Sequence, residues 1–233
     1  MVTTPYAGIN PTFKVHQQMY KLIYFFGPDG VGKTTHANLI ANRLRLMGFR
    51  VWRASVKQHH TLAYLLLKTL SHRNPKGKIM NYYGFNDVLM RRIRTPWKIL
   101  EIVSLFPAVF YRIILPLLLG YVVVCDRYVL DTLVTLSYFL KDPKLILSKS
   151  ARILIRLIPK NSLLLYFNAD AEVILQRKRC EPLTFQLITY YARMYAMMIN
   201  VYNLKAEKIN TTTEPINKVR EKIANLIDLC ENV

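Results

Sequence analysis

FFGPDGVGKTT, residues 25–35, decides how the rest of the chain is read. It follows a short apolar run, Leu22–Phe26. It precedes a stretch in which Ala37, Ile40, Ala41, Leu44 and Met47 recur at helix spacing, with Gly48 as a natural stop. Strand, loop and helix thus succeed one another around Gly27-Pro28-Asp29-Gly30-Val31-Gly32-Lys33-Thr34, which fits G-x-x-x-x-G-K-[ST]. The spacing has a chemical reason. Glycines let backbone N–H groups converge on phosphate oxygens, and the start of the following helix adds positive potential. The expected nucleotide contacts are Gly27, Asp29, Gly30, Val31, Gly32, Lys33, Thr34 and Thr35. Lys33 is expected to reach the β- and γ-phosphates, and Thr34 to offer its hydroxyl to a metal. ATP and Mg²⁺ are the cofactors this loop implies.

Outward from the loop, short apolar runs alternate with helical patterns. Strands are predicted at 50–55, 121–125 and 163–167, with a weaker one at 208–211. Helices are predicted at 33–47, 129–140, 145–158, 171–176, 183–202 and 216–230, and the segment 59–119 reads as mostly helical with a break at 74–77. This order predicts an α/β fold with a parallel sheet of about five strands and helices on both faces. Residues 1–20 read as an irregular tail and 21–233 as one domain. Length agrees: 233 residues suit one domain with a substantial core.

Composition is globular, 52% apolar and 20% charged, but the charge is unbalanced: 33 Lys and Arg face 14 Asp and Glu, for a formal +19. Such a balance favours anionic partners, whether nucleotide, nucleic acid or lipid head groups; a solvated basic surface is the plainer reading. Cys125, Cys180 and Cys230 are scattered without metal-ligand spacing, so neither a disulfide framework nor a zinc site is expected, and a reducing cytoplasm is. The N-terminal stretch has no apolar core of a secretory signal. Residues 99–125 are apolar enough to raise a membrane span, but Glu101, Pro107, Arg112, Pro116 and Gly120 interrupt them. A buried helix, a turn at Gly120 and a buried strand are expected instead.

Val122-Val123-Val124-Cys125-Asp126 has the form of a strand ending in a carboxylate, and Asp126 is a second metal candidate beside Thr34. Arg127 follows, where water-activating ATPases usually place a glutamate. The guanine-reading N-K-x-D is also missing, since the only Asn-Lys pair continues as Asn217-Lys218-Val219-Arg220. Both absences disfavour a hydrolase, and an arginine there suits gripping an acceptor or a moving phosphoryl group. Arg177-Lys178-Arg179 follows the fourth strand and a short helix. It reads either as an exposed charge run or as a lid over 177–183 that excludes water and neutralises charge.

GPDGVGKTT, VVVCDRY at 122–128 and LLLYFNADAEVILQRKR at 163–179, in this order, resemble the thymidylate kinase family of P-loop kinases, from about Leu22 onward; KINTTTEPINKVREKI resembles the family's last strand, loop and helix. The resemblance implies a P-loop kinase fold with a lid, and phosphoryl transfer from ATP to a nucleoside monophosphate, dTMP first. It places Asp29 where the family carries an acidic residue near the acceptor sugar and the phosphate being attacked. Gly30 sits where some members carry an arginine; members without it supply one from the lid, which fits Arg177 and Arg179. Lys33, Asp29, Arg127, Arg177 and Arg179 are the implied catalytic set.

The acceptor half departs from the family pattern. Arg53-Ala54-Ser55-Val56-Lys57 replaces an R-E-P-like segment. Leu105 and Phe106 stand where a phosphate-gripping arginine is expected, with Arg112 nearby. DRYVLDTLV replaces the usual serine and A-Y-Q continuation, leaving Asp131 as a candidate for an acceptor hydroxyl. The acceptor-side candidates are therefore Asp29, Arg127, Asp131 and Arg112. Residues 53–98 form a basic insert with ten Lys or Arg and one acid, Asp87. It suits an anionic acceptor, nucleic acid or an acidic membrane surface. In it Arg91-Arg92-Arg94 reads as a phosphate grip or a solvated face, and Tyr82, Tyr83 and Trp97 as base-stacking or core. Three readings stay open: a nucleoside monophosphate kinase, a P-loop kinase for another hydroxyl or phosphate acceptor, and a nucleotide-dependent nucleic-acid or membrane-surface binding protein. A homodimer is also open.

Overall fold

The computed structural model describes residues 20–56, 87–179 and 183–228. The expected tail, most of the basic insert with Tyr82 and Tyr83, Cys180 and Cys230 lie outside them, as do the side chains of Arg91 and Arg92.

Five strands form one parallel sheet: β1 (Leu22–Phe26), β2 (Val51–Ala54), β3 (Val122–Asp126), β4 (Ser162–Asn168) and β5 (Ala206–Asn210), in the order β2-β3-β1-β4-β5. Every residue of β1 is fully buried, as a central strand covered on both faces requires. Its side chains alternate between two cores. Leu22, Tyr24 and Phe26 face one, built from α2 (Asp87–Val109), α4 (Val129–Phe139), α5 (Lys149–Ile155) and α7 (Phe185–Val201). Ile23 and Phe25 face the other, built largely from α1 (Lys33–Leu46), α6 (Ala171–Arg177) and α8 (Ile216–Asp228). The α/β architecture and the strand positions expected from the sequence are observed, with ends shifted by a residue or two.

Two local expectations are corrected. The helix expected over 145–158 is a 3₁₀ turn, Pro143–Leu147, followed by α5, because Ser148 is extended and its side chain caps Ala151 N. The helix preceding β3 is only partly buried. It runs from α2 through a π-helical turn, Phe110–Ile114, into α3 (Leu115–Leu118), with prolines at 96, 107 and 116 breaking its regular bonding. Its inner residues Leu105, Val109 and Ile113 join the core, while Ile99, Val103, Phe106, Phe110 and Tyr111 are exposed. By length and composition the helix Arg94–Leu118 could cross a membrane; 39% of its most apolar window is buried within the protein. The expected turn at Gly120 is present, with φ +79°. Trp97 belongs to a small core cluster with Leu136, Leu140 and Leu145, and Arg94 donates to the Lys141 carbonyl.

Candidate functional site

The loop between β1 and α1 opens a cleft of about 440 Å³ at the carboxyl ends of the strands, the usual position for ligands in such sheets. Two glycines show why the loop has its sequence. A Cβ on Gly27 would lie 2.0 Å from the Phe167 carbonyl oxygen of β4, so the loop can pass the neighbouring strand only there as glycine. A Cβ on Gly30, at φ +87°, would lie 3.0 Å from both Ile174 Cγ2 and Lys178 Cγ, so helix α6 rests directly on the loop.

Lys33 is buried. Its ammonium donates to the Gly27 and Pro28 carbonyls at 2.6 Å each and stands 3.5 Å from Asp29. Burial pulls its pKa down and Asp29 opposes that shift. Asp29 is ion-paired to Arg127 as well. Burial alone would raise its carboxyl, but Lys33 and Arg127 outweigh it and hold the group below its ordinary range, hence ionised at neutral pH. For Arg127, burial works against the charge, while Asp29 and Asp131 win and fix the guanidinium as a cation.

Arg127 holds a left-handed backbone, φ +75°, that a side-chain residue adopts only when its surroundings impose it. Here its N–H donates to Phe25 O at 3.2 Å, and its carbonyl accepts from Val56 N at 2.9 Å and from Cys125 Sγ at 3.1 Å. Three strands' ends thus set one arginine over the loop. Its Nε is buried with no partner among the described residues, while the residue itself lines the cleft.

Thr34 is an exposed residue whose hydroxyl donates to Asp126 Oδ2, while Asp126 Oδ1 is buried without a partner among the described residues. A hydroxyl and a carboxylate with one free oxygen, side by side at the loop, are hard donors of the kind Mg²⁺ takes, so the residues fit the ion. Val31 is buried and Thr35 exposed at the cleft.

The lid-side cations divide differently from expectation. Arg177 lines the cleft, but its guanidinium is committed to Thr211, at 3.1 Å to Oγ1 and 2.7 Å to the carbonyl. Thr211 Oγ1 in turn reaches Val31 O at 3.2 Å, so Arg177 ties α6 to the end of β5 and the loop. Arg179 is exposed and is not brought to the cleft; Lys178, between them, is. Thr211, Glu214 and Ile216 also line it and were missed. The available signal was position: Thr211 follows β5 at the same carboxyl edge as the loop.

Asp131 is corrected from acceptor contact to structural hub. It is buried, accepts from Tyr24 and Tyr195 hydroxyls at 2.6 and 2.8 Å and from Tyr128 N at 3.0 Å, and so has both oxygens occupied. Burial raises its pKa, against Lys33 and the Tyr24 hydrogen bond. The carboxylate caps α4 directly after Arg127 and joins β1, α4 and α7. Replacing Asp131 with Asn puts an amide N–H₂ against a hydroxyl that now donates. The expected loss is about 2 kcal/mol of unfolding free energy, read from urea titration; a midpoint equal to wild type would remove the hub role. Arg112 is likewise spoken for: it donates to Ser55 O at 3.2 Å, beyond β2, and does not line the cleft.

A parallel sheet, a glycine loop feeding a helix, a carboxylate-ending neighbouring strand and a basic helix resting on the loop define the P-loop kinase fold. The structure is similar to thymidylate kinase from Candida albicans, whose structure is described as revealing the origin of broad substrate specificity. The match has a TM-score of 0.65 and 17% identity over 92% of this chain and 93% of that one. It is also similar to the YorR protein of Bacillus subtilis, solved in complex with phosphorylated GDP, with a TM-score of 0.54 and 19% identity over 91% and 98% of the two chains. No protein-family model matches the sequence, and no curated protein sequence matches it.

Proposed function

We propose that this protein transfers the γ-phosphoryl group of ATP to the phosphate of a nucleoside monophosphate, with dTMP the first candidate. The single observation that carries the reading is the Lys33–Asp29–Arg127 cluster: two cations and one carboxylate gathered at the loop, Arg127 from the end of β3. Transfer between two phosphates accumulates negative charge on both sides of the moving group, and the protein's work is to position and neutralise it. The loop amides and Lys33 hold the donor phosphates. Arg127, fixed in charge and backbone, lines the cleft and faces the transferred group. Asp29 orients Arg127 and offers an acceptor for a sugar hydroxyl. Thr34 and Asp126 would hold Mg²⁺, which when bound neutralises phosphate charge. Lys178 supplies the lid-side cation, and Arg177 holds the lid helix in place for it.

The fold likeness to a thymidylate kinase supports the acceptor class, and the guanine nucleotide in the second similar structure widens the set worth testing. Commitment of Asp131 to three hydrogen bonds weakens the alternative of a non-nucleotide hydroxyl acceptor, since that reading relied on its carboxylate. The test is a coupled assay with Mg·ATP and a panel of pyrimidine and purine monophosphates. We expect diphosphate formation at the highest kcat/KM with dTMP. Turnover with none of the panel by protein that binds ATP would reject the proposal.

A further inference from the structure

At the end of the sheet remote from the cleft, two chain turns stand side by side. One leads from α1 into β2 and carries Leu46 and Met47; the other leads from α3 into β3 and carries Leu118 and Leu119. The strands they feed are joined at once: Val122 N donates to Arg50 O at 2.8 Å. The Arg50 guanidinium lies 4.4 Å over the Tyr121 ring and donates to its hydroxyl at 2.9 Å. Trp52, on the outer strand, meets the same ring edge-on at 6.0 Å. Leu46, Leu118 and Leu119 are 89%, 74% and 57% exposed, and Met47 and Trp52 are exposed with them. A single exposed leucine is ordinary, but this many large apolar side chains at one end of a molecule mark a surface made for contact.

The two segments that form these turns carry charge of one sign. Residues 30–86 and 102–125, which supply both turns, contain no Asp or Glu. Arg43 and Arg45 occupy the last turn of α1, and Arg50 stands at the strand entrance. Aliphatic tips, an indole, a phenol and arginines without an acid are the chemistry of an interfacial anchor: leucines enter the acyl boundary, Trp and Tyr sit at head-group depth, and arginines meet phosphates. A nucleic acid would leave the leucines without a use, because its protein interfaces are polar. A second copy packed on the same patch would set the arginines of these segments against one another with no carboxylate in either segment to answer.

We infer that this end of the molecule docks on an anionic lipid surface, the leucine turns entering its boundary and Arg45 and Arg50 meeting lipid phosphates. The cleft, at the opposite ends of the strands, then faces the aqueous side.

The experiment is co-sedimentation of the full chain with phosphatidylcholine vesicles and with phosphatidylcholine–phosphatidylglycerol vesicles, followed in parallel by tryptophan emission. The chain has two tryptophans, and Trp97 is in the core, so a change on binding reports Trp52. Binding to the anionic vesicles alone with a blue shift is expected. Leu118→Ser with Leu119→Ser should abolish the shift and weaken binding at least tenfold with an unchanged melting temperature. Arg45→Gln and Arg50→Gln should each weaken it about fivefold. Vesicle binding without the shift, or untouched by the serine pair, would overturn the assignment. So would binding to a DNA oligonucleotide in place of vesicles, or a dimer in sedimentation equilibrium that the serine pair dissolves.

Discussion

Lys33→Ala should lower kcat for phosphoryl transfer by about a thousandfold or more while leaving the melting temperature within a few degrees of wild type. Lys33 is buried, but its hydrogen-bond and ion-pair partners among the described residues are the Gly27 and Pro28 carbonyls and Asp29, all within the loop. Burial lowers its pKa, so the protein holds this charge at a cost, which a purely structural role would not require. Removing it takes away a cation from the place where phosphate charge develops and leaves Arg127 as the remaining partner of Asp29. Steady-state kinetics with the best acceptor and a thermal melt decide the matter together. A rise in KM with kcat intact would assign Lys33 to binding both ground and transition states equally. Activity equal to wild type would contradict the role altogether.

Gly27→Ala should fail for the opposite reason, by unfolding. Its methyl group would need the space of the Phe167 carbonyl oxygen, 2.0 Å away, and neither β1 nor β4 can yield, because five registered residue pairs lock them together. We expect a loss of about 3 kcal/mol or more. Gly48→Ala is the matched control. That residue also has positive φ, at +90°, but nothing lies within 4 Å of a built Cβ, so only the backbone preference of about 1–2 kcal/mol is at stake. Comparing the two in urea separates collision from conformation. Equal midpoints would mean that the loop and β4 are not as closely packed as they stand here.

The parts that were legible in the sequence are those governed by local rules. β1, the loop and α1 follow from an apolar run, fixed glycine spacing and helix periodicity, and Val122–Asp126 from β-branched residues ending in a carboxylate. What stayed hidden depends on residues far apart. Asp131 meets Tyr24 and Tyr195 across 107 and 64 positions, and nothing in DRYVLDTLV distinguishes a carboxylate that reaches a ligand from one that two tyrosines hold. Arg177 and Lys178 are adjacent cations in one motif, and both line the cleft, yet it is Arg177 that ties down Thr211. The helix before β3 shows the limit of composition: its apolar residues read as core on every side, but only the inner stripe has a sheet to pack on.

The crowding at Gly30 couples the loop to the helix that rests on it. A side chain at this position would have to hold a left-handed backbone and would press on Ile174 Cγ2 and Lys178 Cγ, each 3.0 Å from a built Cβ, so those side chains must give way by a few tenths of an ångström. Any side chain gained at position 30 is thus coupled to a movement of the α6 side chains that lie over it, and the loop and that helix would be altered together.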